Sequence, residues 1–125
     1  MKKEMDELLR LLQLPGERAG YRYLCEAAAV YRRTGLDGAA LLSEVADACG
    51  VGFPEVNRAI VEAVRYIQAQ PAGSRLLCGR SVMGVLRWML QLCLCAEQEL
   101  ARAGGHGPSM SERVRILLDK FPVPC

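Results

Sequence analysis

The chain has 125 residues, which suits one domain, and 51% of them are hydrophobic, so a sizeable core can form. Its 16 basic and 14 acidic residues leave a net charge of +2, which is no strong signature of binding to nucleic acid or to a membrane surface. We therefore predict one domain over residues 1–125, and the spacing of its apolar residues indicates the fold class.

Two amphipathic helices are predicted at the start of the chain. Apolar residues at three-four spacing among charges indicate a helix over residues 2–14, which Pro15-Gly16 ends. The same spacing indicates a second helix over residues 17–33, followed by Thr34-Gly35, a helix-ending signal.

The next two helices have the layout of a helix-turn-helix over about residues 38–70. Asp37 can cap a third helix that runs to Cys49, and a fourth is expected from about Phe53 to Gln70. Gly50 falls in the turn, which needs a residue that tolerates positive φ. The layout is typical of a motif whose second helix lies in a DNA groove, but also of an ordinary packed helical hairpin.

A long apolar helix is predicted over about residues 81–103, after helix-breaking residues at 71–73. Residues 82–96 are apolar nearly all round, interrupted by Gly84, Arg87 and Gln91. The run is shorter than the roughly twenty apolar residues of a membrane span, so we expect no contact with a membrane. It fits either the central helix of a bundle, buried on most sides, or a helix partly covered by a second copy of the chain.

The sequence near the end of the chain predicts a loop over residues 104–108, followed by one more helix. Ser109 and Glu112 fit a capping box, in which both side chains satisfy backbone N–H groups at a helix start, and the helix would run to about Lys120. No segment alternates as a strand does. The predicted fold is therefore all-α, with about six helices and an embedded helix-turn-helix.

The six cysteines do not suggest a metal site. No Cys-x-x-Cys pair occurs, and the only histidine, His106, lies in a Gly-rich segment, whereas zinc wants about four ligands at characteristic spacing. Cys93 and Cys95 would point in different directions from one helix. We expect no metal and no cofactor. The charged N-terminus shows no signal peptide, which predicts free thiols in a reducing cytoplasm.

Short motifs in three parts of the chain resemble one known family. They are Leu14-Pro15, Gly20-Tyr21-Arg22-Tyr23-Leu24 and Glu26-Ala27, then Val56, Arg58-Ala59-Ile60 and Ala63, and finally Pro108-Ser109, Ser111-Glu112 and Asp119-Lys120. Together they resemble the C-terminal effector domain of stage 0 sporulation protein A, the response regulator that starts endospore formation. The resemblance covers roughly residues 8–67 and 108–121. It implies a six-helix DNA-binding domain with its helix-turn-helix at the position predicted above.

Several features depart from that family. The family joins the effector domain to a phosphorylatable receiver domain, which we do not expect in this chain, and residues 68–107 match poorly. The family has basic residues where this chain has Glu55 and Val61, a histidine at Glu62 and an acid at Asn57, whereas Arg58 is retained. Two arginines and four acids between residues 42 and 66 give a net charge of −2, which opposes binding to phosphates.

Two functions remain open. The first is a DNA-binding transcriptional regulator, acting as a homodimer on double-stranded DNA, in which Asn57 and Arg58 read base edges while Arg65 and Arg75 hold phosphates. Helical spacing places Arg58 away from the buried side of its helix. The second is a protein-interaction module that kept the fold and lost DNA binding, and that pairs with a relative or another partner through Val82–Ala96. An enzyme is not expected, because no catalytic triad, phosphate loop or paired acidic motif occurs.

Overall fold

The computed structural model describes residues 1–102, 104 and 109–120, without the side chains of 117–120, so that His106, Pro108 and Cys125 lie outside the described residues. The described part contains seven α-helices and no strand, which confirms the prediction of an all-α fold. The helices are α1 Lys2–Leu11, α2 Ala19–Thr34, α3 Gly38–Cys49, α4 Phe53–Ala69, α5 Pro71–Leu77, α6 Val82–Arg102 and α7 Met110–Lys120.

Helix α1 ends earlier than its apolar pattern suggests. Gln13 adopts a left-handed conformation with φ of 66°, and the N–H of Leu14 donates to the carbonyl of Leu9 at 3.0 Å. Leu14 remains buried although it lies outside the helix. The chain therefore folds back over the end of α1, and the side chain of Leu14 enters the core from this turn instead of from a helical face.

The connection between α4 and α6 contains the additional helix α5. Helix α4 ends at Ala69, before Pro71, as predicted, but a new helix then begins, because Pro71 occupies its first turn, where its missing N–H is not needed. A Cβ at position 73 would lie 1.8 Å from the carbonyl oxygen of Ile67, so only glycine permits this approach of α5 to α4. The side-chain amide of Gln68 donates to the carbonyls of Leu77 and Arg80, at 2.9 and 3.0 Å.

Helix α2 lies in the middle of the bundle and packs against α1, α3, α4 and α6. The hydroxyl of Tyr21 donates to the carboxylate of Asp6, which joins the start of α2 to α1. The core consists of Leu, Ile, Val, Met and Ala side chains with Tyr23 and Cys93, and among the described residues no polar or charged one is buried. Apolar packing therefore holds the interior together, and hydrogen bonds such as that between Tyr21 and Asp6 join the helices nearer the surface.

Helix α6 is buried or half-buried at most positions between residues 82 and 96. Its buried residues face α1, α2 and α4, whereas Arg87, Gln91 and Cys95 are exposed. Within residues 82–96 the exposed residues form one narrow stripe, which fits a helix buried on most sides, one of the two arrangements that its sequence allows. Among the described residues, none of the helices combines the length and the apolarity that a membrane crossing would require.

Candidate nucleic-acid interface

A turn of three residues joins α3 to α4. Gly50 ends α3 with φ of 69°, in the left-handed conformation expected of it, and the N–H of Val51 returns to the carbonyl of Ala46 at 3.0 Å. Gly52 precedes α4 in an extended conformation. The hairpin is thus fixed by backbone hydrogen bonds in the turn, and α4 leaves it in a defined direction.

The start of α3 is held by one carboxylate with two partners. Asp37 Oδ1 accepts from the backbone N–H of Gly38 at 2.8 Å, which confirms the predicted capping role. Asp37 Oδ2 accepts from Arg87 Nε at 2.9 Å, so α6 is joined to the same helix start. The pair is exposed on both sides, so its own contribution to stability is small.

Helix α4 has one buried and one exposed face. Its buried residues are Val56, Ala59, Ile60, Ala63, Val64 and Ile67. On the opposite side lie Glu55, Arg58, Glu62 and Arg65, all exposed. The prediction that Arg58 points away from the buried Val56–Ile60 side is therefore confirmed.

The four predicted DNA contacts divide into two groups. Arg58 and Arg65 share the outer face of α4, about 10 Å apart along the helix axis. Asn57 is half-buried at the flank of that face. Arg75 is half-buried on α5, a different helix, and has interactions within the protein. Only Arg58 and Arg65 are thus fully presented to a ligand in front of α4.

The outer face of α4 is not uniformly basic. Glu55 and Glu62 alternate with Arg58 and Arg65 along it, and the ion pairs among the described residues include none of these four. Arg80, in the connection after α5, is also exposed. The face therefore offers cations at intervals, separated by carboxylates that remain available to donors.

Sequence reasoning missed one further cation, Arg18. Its guanidinium carbon lies 4.2 Å from the centre of the Tyr66 ring, so an arginine just before α2 is stacked beside the end of α4. The stack borders a groove of about 180 Å³ lined by Arg18, Ala19, Gly20, Ala59, Glu62 and Ala63. Periodicity could not have found this residue, because Arg18 precedes its helix and its partner lies far along the chain.

The described thiols and acids form no metal-binding cluster, since among them no three His, Cys, Asp or Glu side chains come together. Burial raises the pKa of the Cys25 thiol to about 11 and that of Cys93 to about 12, so both stay protonated. Cys93 is buried and Cys95 exposed, which confirms that the two point in different directions. Neither buried thiol is suited to nucleophilic chemistry.

Comparison of the chain with models of known protein families, with curated proteins and with solved structures finds no match. The candidate interface therefore consists of Arg58 and Arg65 on α4, with Arg18 stacked at its edge.

Proposed function

We propose that the chain is a DNA-binding regulator that places the outer face of α4 in the major groove of double-stranded DNA. The observation that carries the proposal is the exposure of Arg58 and Arg65 on one face of a helix that follows a three-residue turn. A major groove accepts one α-helix, and arginine is the commonest reader of guanine. The resemblance to the sporulation effector domain supports the same helix.

The contacts divide by position. Arg58, in the first half of α4, would donate to the O6 and N7 atoms of a guanine, while Asn57 would reach an adenine at the flank. Arg65, two turns later, would contact a phosphate. Arg18 would contact the next phosphate, because its stacking on Tyr66 already limits its rotamers. Arg75 would contact a phosphate only if it gave up its present interactions within the protein.

The carboxylates on the same face shape the expected affinity. Glu55 and Glu62 repel phosphates, so few counterions are released on binding and we expect weak non-specific binding with a shallow salt dependence. A carboxylate can accept from the N4 amino group of cytosine, so the same residues can contribute to selectivity. We therefore expect the affinity for DNA to depend more on the base sequence than on the total charge of the interface.

The proposal is tested by selecting duplexes from a randomised pool at low salt and titrating the selected duplex and a scrambled one. Arg58→Ala should cost about 1–3 kcal/mol on the selected duplex only, and change the free energy of unfolding by less than about 0.5 kcal/mol. Arg33→Ala, on the exposed end of α2, is the matched control and should change neither. Equal binding of both duplexes by the wild type would refute specific recognition.

A second candidate is a protein-interaction module that binds no DNA. The mixed charge of the α4 face and the exposed stripe of α6 at Arg87, Gln91 and Cys95 favour it. Trp88, the only tryptophan, is half-buried on α6 and would report a partner seated there by a shift in its fluorescence. A candidate partner that shifts the emission, and no longer does so with Gln91→Arg, would support this function. A duplex bound at α4 should leave the emission unchanged.

A further inference from the structure

The exposed side of α4 carries charges of alternating sign at a regular interval. Glu55, Arg58, Glu62 and Arg65 stand at positions i, i+3, i+7 and i+10, so their side chains form one stripe along the helix. All four are exposed, and no ion pair of the described residues uses them. The next position of the stripe, Ala69, is small and also exposed.

In a pair related by a twofold axis, this stripe is complementary to its own copy in the antiparallel orientation only. If a second α4 lies parallel in the same register, each residue meets its own copy, and like charges face each other. If it lies antiparallel and is centred between Arg58 and Glu62, Arg58 faces the partner's Glu62 and Glu55 faces the partner's Arg65. The twofold axis repeats both contacts, which gives four pairs of opposite charge. An alternating stripe of this kind therefore selects both the partner and its orientation.

We propose that two copies of the chain associate through the outer face of α4, antiparallel about a twofold axis. Helices in such a contact lie about 8–10 Å apart, within reach of Arg and Glu side chains. The small side chain of Ala69 leaves room for the partner helix at the end of the stripe. Because the cost of desolvating the charges offsets much of the attraction within each ion pair, the dimer is weak, reversible and sensitive to salt.

The pairing does not depend on DNA binding, but it has a consequence for it. The dimer covers Arg58 and Arg65, so a duplex and a second copy compete for one surface. This consequence rests on the proposed function. The α4 dimer is then a state without bound DNA, and its population rises with protein concentration.

Charge reversal tests the pairing with sedimentation velocity at low ionic strength. Arg58→Glu places carboxylates opposite the partner's Glu62, and Glu62→Arg places guanidiniums opposite the partner's Arg58, so each variant alone should associate about tenfold more weakly or not at all. Mixed together, the two variants regain opposite charges at every contact and should form a heterodimer. The double variant should dimerise as the wild type does. Arg33→Glu, an exposed reversal on α2, is the matched control and should leave association unchanged.

The outcomes separate this proposal from the proposed function. A wild type that stays monomeric at high concentration and low salt, single variants that dimerise normally, or a mixture that does not pair would each overturn the α4 dimer and leave that face to DNA or to another protein. Folding of every variant is checked by its melting curve, since the changed residues are exposed. The double variant should keep the dimer but lose sequence-specific DNA binding, because position 58 no longer carries a reader of guanine.

Discussion

Gly20 on α2 and Ala59 on α4 are in contact through their backbones. A Cβ at position 20 would lie 2.5 Å from the carbonyl oxygen of Ala59 and 2.6 Å from the Cβ of Ala63, closer than such atoms approach. The three heavy atoms nearest to this point all belong to two alanines, Ala59 and Ala63. The close approach of α2 sets the position of α4 and therefore the direction of its outer face.

We expect Gly20→Ala to destabilise the fold by about 1–3 kcal/mol, because the added methyl group meets backbone that cannot turn aside. Urea unfolding measures the loss. Gly16→Ala is the matched control, since nothing lies within 4 Å of a Cβ there. A Gly20→Ala protein as stable as the control would mean that α2 and α4 are further apart than described.

Asp37→Ala should cost about 1 kcal/mol, because it removes the acceptor for the N–H of Gly38 at the start of α3. Asp37→Asn keeps an acceptor oxygen and loses only the charge that faces Arg87, so its cost should be smaller. Combining each with Arg87→Ala in a double-mutant cycle separates the cap from the ion pair. If the Ala and Asn variants were equally unstable, the cap would not be the main contribution.

The stack of Arg18 on Tyr66 should show a coupling free energy of about 0.5–1 kcal/mol in a double-mutant cycle that uses Arg18→Ala and Tyr66→Leu. Tyr66→Phe retains a ring and should retain most of the coupling. Thermal unfolding of the four proteins of the cycle provides the measurement. Additive losses would show that the stack holds neither side chain in place.

Alkylation should distinguish the two cysteines of α6. Cys95 is exposed and should react readily at mildly alkaline pH, whereas Cys93 is buried and its pKa is raised to about 12 by that burial, so it should react only on unfolding. Peptide mass spectrometry after timed labelling with iodoacetamide gives the two rates, and Cys95→Ser supplies a protein without the fast site on α6. Equal rates in the folded protein would place Cys93 at the surface.

Helical periodicity predicted most of this fold, because the core is apolar and each helix contributes to it a face of regularly spaced apolar residues. The predicted fourth helix, about Phe53 to Gln70, differs from α4 by one residue at its end. Helix α5 could not be inferred in the same way, since Pro71 and Gly73 are breakers by composition. Here Pro71 opens a helical turn, and Gly73 is required by contact with Ile67. Tertiary contacts determine the conformation of that segment, and local sequence preferences do not.

The candidate site was predictable where it depends on one helix. The exposure of Arg58 follows from the position of Val56 and Ile60 on the same helix. The place of Arg75 depends on how α5 packs, and the place of Arg18 depends on the distant ring of Tyr66. A pattern along the sequence cannot predict the positions of residues such as Arg75 and Arg18, because these depend on contacts between distant parts of the chain.

The contact between Gly73 and Ile67 has a consequence for how this chain can vary over evolutionary time. The segment 68–80 has many exposed or half-buried side chains, which tolerate exchange, yet a single methyl group at position 73 would separate α5 from α4. Divergence there is limited by one backbone contact and not by the chemistry of the surface. A lineage that replaced Gly73 would first have to remodel the α4–α5 junction, and with it the connection that leads into α6.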